Sequence, residues 1–261
     1  MTYAPFDLTG KVALVTGGNR GIGLGMARAL AASNASIAIW GRKEAANTSA
    51  VDELSALGTG EVKAWAVDVA DEQAVIDATT DTIASMGRID SCFANAGVGF
   101  GSPSFIDMDT ETWRKNMSVN LDGAFWTMRE SVKHMVARAK DGDAGGSVVG
   151  VASLAAIEGA ARNQAYAATK GGLISMLKGI AVEHGRYAIR ANAILPGWIA
   201  TDMTKAGQDS DVFTSKVISR VPIRRWGEPD DFGGVAVYLA SDASGYHSGG
   251  TFVVDGGYSI F

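Results

Sequence analysis

Ser153, Tyr166 and Lys170 stand close together in the stretch SLAAIEGAARNQAYAATK, Ser153–Lys170. Four residues separate Tyr166 from Lys170, so on a helix the two share a face. A phenol beside a fixed ammonium can exchange protons near neutral pH. A free tyrosine titrates near 10, and working at pH 7–8 requires a fall of roughly 2–3 units, about 3–4 kcal/mol. A unit charge ~5 Å away supplies about 3 kcal/mol at an effective dielectric of 20, but under ~1 kcal/mol in bulk water. Lys170 therefore suffices only in a shielded cleft, and other parts of the chain must roof it.

The surrounding pattern supplies a frame. Lys11–Thr16 is a short apolar run without alternation, as a strand buried on both faces requires. Ser36–Trp40 reads as a second buried strand, and Glu61–Val67, Ile89–Ala94, Ser147–Ala152, Ile189–Leu195 and Thr251–Val254 read as further strands. Helical spacing lies between them, at about 22–32, 45–57, 71–86, 110–139 with a break near Asn116–Asn120, and 163–184. Strands alternating with helices predict βαβ units and a parallel sheet. The fold class is α/β, one doubly wound, Rossmann-type domain of about seven strands over residues 1–261. Ser153 ends the fifth strand and Tyr166 starts the next helix, and ligands of such sheets lie beyond the carboxyl ends of strands.

The first βα connection reads Thr16-Gly17-Gly18-Asn19-Arg20-Gly21-Ile22-Gly23. Glycines let the backbone turn tightly against a pyrophosphate, and the following helix offers free N–H groups and a partial positive charge. This predicts a dinucleotide cofactor held by Gly17, Asn19, Arg20, Ile22 and Gly23. The second strand ends in Trp40-Gly41-Arg42-Lys43, with no acid to hold a ribose 2′-hydroxyl. A guanidinium suits a 2′-phosphate, so Arg42, with Arg20 closing from the other side, predicts NADP(H) ahead of NAD(H). The alternative is that Arg42 and Lys43 are only a solvated helix start. Asp68-Val69 ends the third strand where an adenine would lie, with a helix N-cap as the competing use of Asp68.

Composition bounds the function. The 261 residues are 47% apolar and 20% charged, with a net charge of −5 and no Lys/Arg run, which argues against a nucleic-acid surface. Cys92 is the only cysteine, so no intrachain disulfide forms. His134, His184 and His247 lack ligand spacing, so no metal is expected. The N-terminus has no basic leader, and no apolar stretch approaches a membrane span; the expected location is the cytoplasm.

Together, TGGNRGIG (Thr16–Gly23), Asp68-Val69, Asn95-Ala96-Gly97, Asn120, Ser153, YAATK (Tyr166–Lys170) and LPGWIAT (Leu195–Thr201) resemble the single-domain short-chain dehydrogenases/reductases over essentially the whole chain. The resemblance implies hydride transfer between a nicotinamide cofactor and a secondary alcohol or ketone. It implies that Tyr166 donates or accepts the proton and Ser153 holds the substrate oxygen. Lys170 then binds the nicotinamide ribose, and Asn120 positions a water in the proton relay. Asp68, Val69, Asn95, Gly97, Ile199 and Thr201 would complete the cofactor site, with Thr201 at the carboxamide. Ala152 departs from the family, in which a second serine often stands there. A homotetramer is also implied, and the apolar tail ending Ile260-Phe261 suits an interface.

The segment Trp198–Trp226 reads as a substrate flap. With Leu154, Ile157, Val98 and Phe100, its Ile199, Met203, Val212, Phe213, Val217 and Ile218 suggest a neutral, largely apolar small-molecule substrate beside Ser153, Leu154, Tyr166 and Trp198. The same residues could equally be lid packing or subunit contacts. Two other functions remain open: a 3-oxoacyl-thioester reductase of the same family, for which no distinct basic carrier-docking patch beyond Arg186 and Arg190 is evident, and a dinucleotide sensor without catalysis.

Overall fold

In a computed structural model, which describes residues 4–261, the expected strands form one sheet. Part of the N-terminus read above as leaderless, residues 1–3, lies outside the described residues. The strands are β1 (Val12–Thr16), β2 (Ser36–Gly41), β3 (Val62–Ala66), β4 (Ser91–Ala94), β5 (Gly146–Val151), β6 (Ile189–Pro196) and β7 (Thr251–Val254). All pair in parallel, in the order β3-β2-β1-β4-β5-β6-β7. The order reverses direction between β1 and β4, and that switch point opens the crevice in which such sheets hold ligands.

The pleat divides β1 between two cores. Leu14 packs with Trp40, Cys92 and Val148 on one face, while Ala13 and Val15 pack with Ile39, Phe93 and Val149 on the other. Helices α1 (Gly21–Ala32) and α2 (Glu44–Ser55) cover the second face; α3 (Glu72–Met86) covers the first. Burial on both faces explains why central strands such as β1 and β4 read as unbroken apolar runs, while β3 and β7, at the sheet edges, are partly exposed.

The break expected near Asn116–Asn120 is a single π-helical turn, Ser118–Asp122, between α4 (Thr110–Met117) and α5 (Gly123–Lys140). Its register is confirmed by the Gly123 N–H donating to the Ser118 carbonyl, five residues back. Helix α6 (Gln164–His184) carries Tyr166 and Lys170. Gly150 of β5 lets α6 sit close, since a Cβ there would lie 2.7 Å from Leu177 Cδ1 and 3.1 Å from Leu173 Cδ1. Beyond β6, the short helix α7 (Lys205–Gln208) and α8 (Asp211–Arg220) form the flap, and α9 (Gly233–Ala240) returns against α1.

Gly150→Val should push α6 off the sheet, lowering stability by about 1–3 kcal/mol through overpacking. Urea unfolding measures this. Turnover in buffer, where the variant remains folded, should fall too, because Tyr166 and Ser153 would lose alignment.

Candidate active site

Thr16 ends β1 and links it to β4. Its Oγ1 accepts the backbone N–H groups of Asn95 and Ala96, each at 3.0 Å, and donates to the Phe93 carbonyl at 3.4 Å. Asn95 returns the contact, its Nδ2 donating to the Thr16 carbonyl at 2.9 Å. The glycine turn lies directly on this link. A Cβ on Gly23 would stand 2.3 Å from the Gly17 carbonyl oxygen and 2.5 Å from Asn95 Nδ2, so only glycine allows the helix start to approach. Gly17 also has φ +63°, a left-handed conformation that glycine adopts without steric cost.

Helix α1 starts with no side-chain cap and no acid in its first turn, so its free N–H groups and dipole face the turn uncompensated. This cradle fits a pyrophosphate. Asn19 is held over β2, its Nδ2 donating to Asn47 Oδ1 at 2.7 Å. Asn47 in turn donates to the carbonyls of Gly41 (2.9 Å) and Trp65 (3.1 Å). Sequence reading missed Asn47; the signal available was a polar residue facing the sheet within an otherwise ordinary helical pattern.

The two arginines expected around a 2′-phosphate have other partners here. Arg42 Nη1 lies 3.8 Å from Asp68 Oδ2, and Arg20 Nη1 lies 3.3 Å from Asp202 Oδ2 at the start of the flap. Both pairs are exposed, and such pairs contribute about 0–1 kcal/mol, so either guanidinium can turn to a better anion. Asp68 is not the cap of α3. Asp71 has that role, accepting from Gln73 and Ala74, while Asp68 accepts only the Ala70 N–H in the turn. Val69 is buried against Gly123, whose Cβ would meet the Val69 carbonyl at 2.6 Å. Thr201 faces the glycine turn: its Cγ2 is 3.4 Å from where a Gly21 Cβ would be. Ile199 is buried, bridging Gly227 beneath the flap.

Ser153, Tyr166, Lys170, Asn120 and Gly97 come together beyond β5. Lys170 is 4% exposed, and its Nζ donates to the Val151 carbonyl at 2.8 Å. The same Nζ lies 5.5 Å from the Tyr166 ring centroid and 3.5 Å from where a Gly97 Cβ would stand. Asn120 is fully engaged: its Oδ1 accepts the Val98 N–H and its Nδ2 donates to the Val98 carbonyl, both at 2.8 Å. One turn earlier, Asn116 bonds the N–H and carbonyl of Phe100 at 3.3 and 2.9 Å. Two asparagines one turn apart thus clamp alternate residues of the segment after Gly97.

Ser153 Oγ accepts the Ala155 N–H at 3.2 Å, and its hydroxyl is hydrogen-bonded to the Tyr166 phenol. The electrostatics differ from expectation. Burial raises the Tyr166 phenol above its ordinary value, opposed in part by the Ser153 hydrogen bond, and burial lowers Lys170 to about 8. The ammonium is desolvated and turned onto a carbonyl, so the protein alone does not bring the phenol toward neutral pH.

Leu154 and Trp198, expected against the substrate, both take part in packing beneath the flap. Leu154 is 6% exposed and belongs to a small cluster with Val217, Val221 and Tyr258. Trp198 is ringed edge-on by Phe213, Trp226 and Tyr258 at 5.3, 6.1 and 6.3 Å. The flap rests on these contacts, which removes Leu154, Ile199 and Val217 from the apolar lining expected of the cleft. Met203 remains exposed, its sulfur 3.5 Å from where a Gly99 Cβ would stand. Cys92 is buried beneath the site, its thiol pushed up to about 12 by burial, as inert as a small apolar side chain. Among the described residues, no group of three or more His, Cys, Asp or Glu could hold a metal ion, and no helix is long and apolar enough to cross a membrane.

Comparison with known proteins agrees with this geometry. Residues 17–259 match a family model described as enoyl-(acyl carrier protein) reductase. An L-rhamnose 1-dehydrogenase (NAD(P)(+)) of Azotobacter vinelandii is 37% identical over 97% of this chain and 98% of its own length. A 3-oxoacyl-[acyl-carrier-protein] reductase of Chlamydia pneumoniae is 36% identical, over 96% and 97%. The chain belongs to the short-chain dehydrogenase/reductase family. As a member of that family it is an oxidoreductase. A gluconate 5-dehydrogenase from Burkholderia cenocepacia, solved in complex with NADP and tartrate, superposes with a TM-score of 0.90 at 33% identity, covering 98% of each chain.

The lowered value of Lys170 has a consequence for pH. Between pH 8 and about 10.5 the folded protein has released this proton while the unfolded chain retains it, so stability rises with pH across that window. Below pH 8 both states hold the proton and the burial cost is felt in full. Comparing urea unfolding of the parent and of Lys170→Met should show the difference between them rising by on the order of 3 kcal/mol from pH 8 to 10.5. A flat difference contradicts the assignment.

Proposed function

We propose that this oxidoreductase binds NADP(H) in preference to NAD(H) and interconverts a secondary alcohol and a ketone, with Tyr166 as proton donor and acceptor. The observation that carries the reading is the convergence of Ser153, Tyr166 and Lys170 beyond β5, beside the glycine cradle. The nicotinamide supplies or accepts the hydride at the substrate carbon. Gly17, Asn19, Ile22 and Gly23 would hold the pyrophosphate, Arg20 and Arg42 the 2′-phosphate, and Asp68 and Val69 the adenine. Asn95, Gly97, Ile199 and Thr201 would border the nicotinamide half.

Ser153, its oxygen oriented by the Ala155 N–H, would donate to the substrate oxygen and fix it beside the phenol. In reduction Tyr166 gives its proton to that oxygen as the carbonyl carbon gains the hydride; in oxidation the phenolate takes the alcohol proton back. Burial alone opposes that phenolate, so charge must be added over the site. Lys170, held on Val151, would bond the nicotinamide ribose, and the cationic oxidised nicotinamide would bring positive charge into a cleft it also shields. Both ends of the Asn120 side chain are spent on Val98, so the water-holding part of the relay would fall to its backbone carbonyl. Exposed Ile260 and Phe261, at 90% and 68%, support the homotetramer that the family resemblance implies.

Tyr166→Phe should reduce turnover by ~10²–10⁴-fold while NADPH binding, followed by nicotinamide fluorescence, is retained. Loss of binding without a change in turnover would sink the catalytic role. In the same titration the parent should bind NADPH more tightly than NADH. Arg42→Ala should weaken NADPH by about 10- to 100-fold and leave NADH nearly unchanged; tighter NADH binding by the parent overturns the cofactor preference.

A further inference from the structure

Arg162 lies four residues before Tyr166, at the corner where the chain enters α6. It has φ +66°, a left-handed conformation that is uncommon for a residue with a side chain. Its carbonyl accepts the Ser102 N–H at 2.9 Å and lies 2.8 Å from where a Gly101 Cβ would stand. That ties the corner to the clamped segment running from Gly97 through Gly99, which touches Met203 of the flap. Arg162, an exposed residue, therefore stands between Ser153 and Tyr166 in the chain and is tied through its backbone to the segment after Gly97.

Unfavourable terms gather in this corner. Besides the strained Arg162, the carboxamide oxygens Asn163 Oδ1 and Gln164 Oε1 are both buried without a hydrogen-bond partner. Backbone strain and buried unpaired acceptors are both costly, and strain of this kind concentrates where a ligand binds. Glycine at 162 would relieve the strain, yet the position holds a long cationic side chain. Among the described residues that guanidinium has no ion pair or hydrogen bond, whereas Arg20, Arg42, Arg220 and Arg225 around the crevice each have one. Helix α6 also begins with no side-chain cap and no acid in its first turn. On a chain of net charge −5, this is a local site for an anion.

We propose that Arg162 is a specificity-determining residue that holds a substrate carboxylate, so that the substrate is an acidic polyhydroxy compound rather than the neutral apolar one expected above. The carboxylate would sit on Arg162 and the start of α6, with the reacting carbon one short carbon chain away at Ser153 and Tyr166. This rests on the reading of Ser153, Tyr166 and Lys170 as the reacting centre.

The test uses D-gluconate and its neutral counterpart D-glucitol as probes, with calorimetric binding to the NADPH-loaded protein. The parent should bind gluconate at least tenfold more tightly than glucitol. Arg162→Met should abolish that preference, a loss of about 10- to 100-fold for gluconate with glucitol and NADPH unchanged. Arg162→Lys should restore part of it. Arg162→Gly should lose the preference while its thermal midpoint stays level or rises, since glycine suits this conformation; misfolding then cannot explain the loss. Equal binding of the two probes by the parent, or a preference that survives in Arg162→Met, overturns the proposal. Tyr166→Phe separates the two readings, because it should keep the gluconate preference while turnover is lost.

Discussion

Lys170 is a buried cation with a single backbone carbonyl as its partner, and much of the site follows from where the fold puts that carbonyl. Val151 is the last residue of β5, so the ammonium is pinned at the carboxyl end of a central strand. Taking a charge out of water without a counter-ion is costly, which is why its value drops to about 8. The cost is borne by α6, which is long and packs closely over Gly150, so the helix cannot rotate to release its lysine to solvent. Tyr166, one turn earlier, inherits that fixed position.

The same economy of parts governs the segment after β4. Thr16 joins β1 to the Asn95 turn, and Asn116 and Asn120 grip Phe100 and Val98. Asn116 and Asn120 are one turn apart and share a face, and that spacing along a helix matches residues two apart on an extended segment. Gly97 is then held where any side chain would press on Asn120 and Lys170. Cofactor cradle and reacting groups are joined through this segment, so neither can shift without the other.

Much of this was legible in the sequence. Unbroken apolar runs marked strands buried on both faces, and the Gly17–Gly23 spacing marked the turn, because glycine requirements are local. Tyr166 and Lys170 were legible through helical spacing. The use of Leu154 and Trp198 was not: an apolar residue beside a catalytic serine reads alike whether it faces a ligand or the underside of a flap. The contribution of Asn47 was hidden for a related reason, since its partners, Gly41 and Trp65, are brought together only by the pairing of β2 with β3.

By itself, the sequence determined the α/β alternation, the parallel sheet, the phosphate-binding turn and the identity of the reacting side chains, because each depends on local periodicity or on residue chemistry at short range. Tertiary structure alone decided that Lys170 faces Val151, that Asn120 spends its side chain on Val98, and that the Arg162 guanidinium is left without a partner. Those are questions of burial and pairing between segments far apart in the chain, and the cost of an unpaired or desolvated group exists only once the fold has closed around it.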